Sequence, residues 1–116
     1  MTWHCLALDL RDDPQLIAEY ERWHRRDRIW PEVVASIREA GILDMQIFRT
    51  GNRLVMLMRV APTFDASAKA AADAVSERVQ AWEALMSTFQ QPLPWAAAGQ
   101  KWVPMQRIFD LAECAD

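Results

Sequence analysis

Hydrophobic and polar positions alternate from Trp3 to Leu10, with Trp3, Cys5, Ala7 and Asp9 on one side and His4, Leu6, Leu8 and Leu10 on the other. That two-residue period predicts a half-buried strand whose second face is the greasier. At Asp12-Asp13-Pro14 the pattern changes to a helix entry, and Leu16, Ile17, Tyr20, Trp23 and His24 follow at helical spacing. The helix cannot run unchanged to Pro31, because a residue before proline is biased out of the helical region and Trp30 holds that place. A second helix restarts at Pro31, with Val33, Val34, Ile37 and Ala40 as its core stripe and Gly41 as its stop.

Two apolar runs, Leu43 to Arg49 and Leu54 to Val60, flank Thr50-Gly51-Asn52-Arg53 and read as an antiparallel hairpin. From about Asp65 to Gln90 the chain predicts one long helix, carried first by Ala68, Ala71, Ala72 and Val75 and then by Val79, Trp82, Leu85, Met86 and Phe89. Pro92-Leu93-Pro94-Trp95 ends it as a stiff connector, and Lys101 to Phe109 makes a last strand that Pro104 confines to a sheet edge. The resulting order βαββαβ is the ferredoxin-like arrangement, an α+β fold with an antiparallel sheet covered by helices on one face. Trp3, Ala7, Phe48 or Met45, Val55 and Leu57 would leave the other face apolar, and pairing two copies face to face into a dimeric α+β barrel is the simplest closure.

Composition narrows the picture. With 52% hydrophobic and 25% charged residues over positions 1–116, the chain fits a single globular domain. A formal net charge of -3 with both signs interspersed gives no concentrated positive field, so a nucleic-acid partner is not expected, and Arg22, Arg25, Arg26 and Arg28 read as a solvated helix end. Cys5 and Cys114 lack the spacing of a metal knuckle or redox pair, and His4 has no companions for a zinc site. Asp9, Arg11, Asp12 and Asp13 stand where a signal peptide needs an apolar core, and no apolar run approaches the ~20 residues that cross a bilayer. A soluble, cytoplasmic protein without a membrane partner is the expectation.

The best claim to chemistry is the four-residue spacing of Tyr20 and His24, which puts a phenol and an imidazole on one helical face near a helix end, with Trp30 close by. Tryptophan supplies six of the chain's aromatic residues. Its flat apolar ring offers a stacking platform and its indole N–H a hydrogen-bond donor, which makes Trp30, Trp82 and Trp95 pocket candidates. Each also has a plainer role: Trp30 as a staple at a helix start, Trp82 as core beside Leu85 and Met86, and Trp95 as a dimer seal.

Several separated motifs carry a family resemblance. They are Cys5-Leu6-Ala7-Leu8-Asp9-Leu10, Tyr20 with His24 and Trp30-Pro31-Glu32, and Ile47-Phe48-Arg49-Thr50-Gly51-Asn52-Arg53-Leu54, followed by Trp82-Glu83-Ala84-Leu85-Met86 and Phe89-Gln90-Gln91-Pro92-Leu93-Pro94-Trp95. Together they resemble the L-rhamnose mutarotase family, nearest to its L-fucose mutarotase branch. The resemblance implies a homodimeric α+β barrel that interconverts α and β anomers of a 6-deoxy-L-hexose, L-fucose or L-rhamnose, with no cofactor and no metal. It implies a proton donor at His24 and substrate contacts at Tyr20, Trp82 and Glu83. Met45 occupies the substrate-contacting place where rhamnose-type members carry a tyrosine, and Phe48 stands where many relatives have tyrosine. Both differences point away from a strict rhamnose assignment.

Opening a pyranose removes the anomeric hydroxyl proton and protonates the ring oxygen, so one acid and one base suffice. Imidazole, with an ordinary pKa of ~6.5, holds or gives a proton near neutrality. His24 is the candidate acid, and the base stays open between Glu32, Glu83, Asp44 and a bound water. Two other classes share this topology: a small dimeric α+β barrel oxygenase, and a non-catalytic sugar-binding dimer.

Overall fold

The computed structural model describes residues 2–115. Its elements follow the order β1 (Thr2–Leu10), α1 (Pro14–Trp23), α2 (Pro31–Glu39), β2 (Ile42–Thr50), β3 (Arg53–Val60), α3 (Ala66–Val75), α4 (Glu77–Ser87), β4 (Gln90–Gln91) and β5 (Val103–Pro104). All strand pairings are antiparallel, in the order β2-β3-β1-β4, and β5 also pairs with β1. This is the expected ferredoxin-like α+β fold, with two short helices in each helical slot.

Local chemistry explains most boundaries. Asp13 caps α1 by accepting from the N–H groups of Gln15 at 2.9 Å and Leu16 at 3.1 Å, and Pro14 follows in the first turn where its missing N–H costs nothing. Trp30 is extended at φ -72° and ψ 126°, as a residue before proline should be, and it separates α1 from α2. Gly41 stops α2 at φ +90°. In the hairpin only Gly51 takes positive φ, at +55°, the mark of a type II′ turn. Asn52 instead ties the turn to β1, donating from Nδ2 to the Leu10 carbonyl at 3.0 Å.

Two elements differ from the sequence expectation. The single helix over 65–90 is broken at Ser76, whose extended backbone at φ -91° and ψ 111° ends α3, while its hydroxyl accepts from the Val79 N–H to start α4. Ala68, Ala71 and Ala72 are exposed and Val75 is 84% exposed, so the alanine stripe of α3 is no part of the core. The last strand over 101–109 shrinks to Val103–Pro104, and a piece not expected, Gln90–Gln91, shares the same edge of β1. Pro92, Pro94 and Pro104 lack the N–H that continued pairing would need. Beyond Met105, whose N–H reaches the Cys5 carbonyl at 2.7 Å, the chain leaves the sheet with Ile108, Phe109 and Leu111 exposed.

Register decides the two sheet faces. Leu6, Leu8 and Leu10 lie opposite Met56, Leu54 and Gln90 under the helices, where Leu10 joins Tyr20, Val33, Leu54, Trp82, Met86 and Phe89 in the core. An irregularity at Leu43 resets β2, so Met45 pairs with Met58 on the helix side and Phe48 pairs with Val55 on the open side. Trp3 and Phe48 are each 55% exposed on that open face, whereas Ala7 is buried, contrary to expectation. Asp9 is buried there too, its carboxylate held by Arg53 at 2.8 and 3.1 Å.

Leu10 is fully buried at the center of this core. Leu10→Ala should lower stability by about 2–5 kcal/mol through lost contacts and the cavity left behind. In urea unfolding the midpoint should fall while the slope stays constant.

Candidate active site

α1 ends where its last turn delivers two aromatic side chains to one face. Tyr20 is buried in the core, and the ring of His24 lies 4.5 Å from it, centroid to centroid. His24 forms the helix cap, and its Nδ1 sits 2.7 Å from the Tyr20 carbonyl oxygen. A carbonyl only accepts, so Nδ1 carries hydrogen and the neutral ring keeps its lone pair on Nε2. Burial pushes the His24 pKa below its ordinary value, against the opposing pull of the Tyr20 carbonyl. Burial likewise raises the Tyr20 pKa, partly offset by the side chain of Gln90, so the phenol stays protonated at neutral pH.

His24 borders two adjoining hollows between the helices and β2. One, of about 470 Å³, is lined by His24, Ile37, Arg38, Asp44, Met45 and Ile47 among others. The other, of about 420 Å³, is lined by Tyr20, His24, Ile47 and Phe48, with Glu21 and Arg49 ion-paired at its rim. They share His24 and Ile47. Each has the volume of a small-molecule site and the expected makeup, mostly apolar with a few polar groups. A larger hollow of about 700 Å³ between α2 and α3 contains Glu32 but neither Tyr20 nor His24, so size alone does not mark the chemistry.

Trp82, buried on α4, is the wall behind the imidazole. Three rings meet it edge-on: His24 at 5.5 Å, Trp30 at 5.2 Å and Trp23 at 6.5 Å. Trp30 is half-buried, and one of its faces is covered by the Arg78 guanidinium at 3.7 Å from the ring center. That contact and its packing against the core favor the staple role over a free sugar platform. Glu83 is exposed on α4. Trp95 lies apart from this group: it is 63% exposed and stacks on Arg53, which belongs to the open face.

Of the carboxylates considered as base, only Asp44 lines the cleft with His24, although its register opposite Arg59 starts it from the open face at the sheet edge. Glu32 is exposed and paired with Arg78 at 3.3 Å; its own backbone N–H at the start of α2 holds its pKa down, opposed by desolvation and helped by Arg78. Two further residues of this region, Arg38 and Gln90, are not site candidates in the sequence. Arg38 follows Val34 by one helical turn, which places it on the cleft side of α2. Gln90 carries no comparable local signal, since its position depends on pairing with distant Leu10. Among the described residues no group of three His, Cys, Asp or Glu side chains is arranged to hold a metal, and no helix is long and apolar enough to cross a membrane.

Comparison with known proteins adds a separate line of support. The family model for L-rhamnose mutarotase matches residues 3–111. An L-fucose mutarotase of Xanthomonas campestris pv. campestris is 59% identical over 109 residues, covering 94% of this chain and 87% of the relative. An L-rhamnose mutarotase of Acidiphilium cryptum is 34% identical over 110 residues, covering 91% and 96%. The crystal structure of an L-rhamnose mutarotase from Formosa agariphila superposes with a TM-score of 0.69 at 20% identity, covering 96% of this chain and 99% of that one, a likeness of fold.

The lowered pKa of His24 has a defined sign in stability. Above 6.5 the ring is neutral folded and unfolded; as pH falls from 6.5 through the lower folded value, the unfolded chain takes its proton first and the fold loses stability. NMR titration should show His24 with a midpoint below 6.5 and the Nε2 lone-pair tautomer, and His24→Gln should reduce the acid-side loss.

Proposed function

The chain belongs to the L-rhamnose mutarotase family, and on that footing we propose that it interconverts the α and β anomers of a 6-deoxy-L-hexose, with L-fucose as the preferred sugar. The preference is supported by the 59% identity to an L-fucose mutarotase and by Met45 lining the cleft where rhamnose-type members carry a tyrosine. The observation that carries the mechanism is the fixed imidazole of His24, with its lone pair available at the junction of two hollows.

Ring opening transfers one proton from the anomeric hydroxyl to the ring oxygen as the C1–O5 bond breaks, leaving an open-chain aldehyde. Rotation about C1–C2 and reclosure on the other carbonyl face return the proton. We assign His24 to this transfer. Neutral at rest, its ring accepts the anomeric proton first and becomes a proton donor as imidazolium, stabilised by the Tyr20 carbonyl at 2.7 Å. Tyr20 orients the sugar through its hydroxyl, and Trp82 holds the imidazole from behind. Asp44 or a bound water is the candidate relay between the anomeric hydroxyl and His24, since Asp44 lines the cleft with His24 while Glu32 is ion-paired with Arg78 and Glu83 lines neither hollow.

The active form is proposed to be a homodimer of this single domain, spanning residues 1–116, with the open sheet faces packed together. Trp3, Phe48 and Trp95 give that face an exposed apolar surface of the kind that pairs. A cytoplasmic setting accords with the two free thiols, of which Cys5 Sγ lies 3.5 Å from the thioether of Met105.

Saturation-exchange NMR between the anomeric signals of L-fucose should show accelerated exchange with the purified protein, faster than for L-rhamnose. His24→Ala should remove about 100 to 10,000-fold of that acceleration, the span of positioned acid-base catalysis; an unchanged rate would exclude His24 from the chemistry. Sedimentation should report a dimer for the wild type and a monomer for Phe48→Asp, and a wild-type monomer would remove the barrel.

A further inference from the structure

Gln90 opens β4 directly opposite Leu10, so it is directed into the layer between sheet and helices rather than toward the open face. Its Nε2 lies 3.5 Å from the Tyr20 hydroxyl, and its Oε1 is buried with no hydrogen-bond partner. Exchanging the two ends of the amide would not cure this, since the N–H2 would then be the stranded pole. A leucine or methionine of similar size would fill the same space without a stranded polar atom, so an amide here has a use other than packing. The neighboring Phe89 meets the Tyr20 ring edge-on at 6.0 Å and already supplies the apolar contact.

The polarity of the contact says what that use is. When the amide donates to the phenol oxygen, the phenol's own proton is turned away from Gln90, and among the described residues no protein acceptor takes it. Tyr20 also lines the hollow it shares with His24. We infer that Gln90 is a positioning residue, which aims the Tyr20 O–H at a hydroxyl of the bound sugar so that the phenol acts as a donor beside the imidazole. The 3.5 Å separation is long for a hydrogen bond, as such contacts often are before substrate tightens a site. Burial keeps the phenol protonated, which donation requires. The inference rests on the mutarotase reading for its sugar and on geometry for its residue pair.

Tyr20 is the only tyrosine of the chain, so tyrosine labeled with 13C at Cζ gives a single resonance that reports this contact without any sugar. In Gln90→Leu that resonance should shift and the phenol should titrate at higher pH, because the amide donor that eases ionisation is gone. For the sugar, kcat/KM should fall by about 10-fold, the size one neutral hydrogen bond supports, chiefly through KM. The loss should vanish when Gln90→Leu is made in Tyr20→Phe. Gln90→Glu should raise KM at neutral pH, where the carboxylate accepts the phenol O–H and turns it from the sugar, and recover as the pH is lowered far enough to protonate the carboxylate. Should the leucine variant fail to fold, Gln90→Met and Gln90→Glu carry the same readouts. An unmoved tyrosine resonance, or an equal loss of kcat/KM with and without the Tyr20 hydroxyl, would overturn the inference. A resonance that follows Gln90 in a wild-type protein without anomer exchange would support the coupling and overturn the sugar alone.

Discussion

The hydrogen bond from His24 Nδ1 to the Tyr20 carbonyl, 2.7 Å long, fixes more of this molecule than any other single contact. It joins the Tyr20 carbonyl in the last turn of α1 to the ring at the helix cap, and so ties the imidazole to the backbone of its own helix. Because the acceptor is a carbonyl, the tautomer follows from valence alone. A proton-transfer group at a sugar site needs a neutral ring at rest and a means of stabilising its cation, and the burial of His24 and the carbonyl beneath it meet those two needs from opposite directions.

The surroundings serve to keep that ring in place. Trp30-Pro31 forces a break between α1 and α2, which lets the chain turn after His24 and close a cleft over β2. Trp82 then presses on the imidazole from α4, edge to face, and is itself held between Trp23 and Trp30. The tryptophans that read in sequence as sugar platforms are thus, around His24, largely the frame of the catalytic group. Trp95, across the sheet on Arg53, belongs to another surface.

What was legible in the sequence was what local sterics determine. Asp13-Pro14, Gly41 and Gly51 announce their boundaries through rules that involve only neighboring atoms, and the four-residue spacing of Tyr20 and His24 predicts their shared face in the same way. The break at Ser76 stayed hidden because the alanines before it and the apolar stripe after it read as one continuous helix, although the serine cap on Val79, three residues on, is as local as the Asp13 cap. Gln90–Gln91 has no strand character of its own and pairs because Leu10 is there to meet it. The choice between Met45 and Phe48 for the open face turned on an irregularity at Leu43, which changes the side of the sheet each residue occupies. The place of Trp95 depended on which elements pack together, and no window of local sequence contains that.

Ser76 has a mechanical consequence. It closes one helix and opens the next, so α4 owes its first turn to its own cap and not to the helix before it. No residue of α3 is buried, while α4 contributes Val79, Trp82 and Met86. Fraying of α3 therefore stops at a firebreak: its amides can exchange with solvent hydrogen through small local openings while the ring stack behind His24 keeps its geometry.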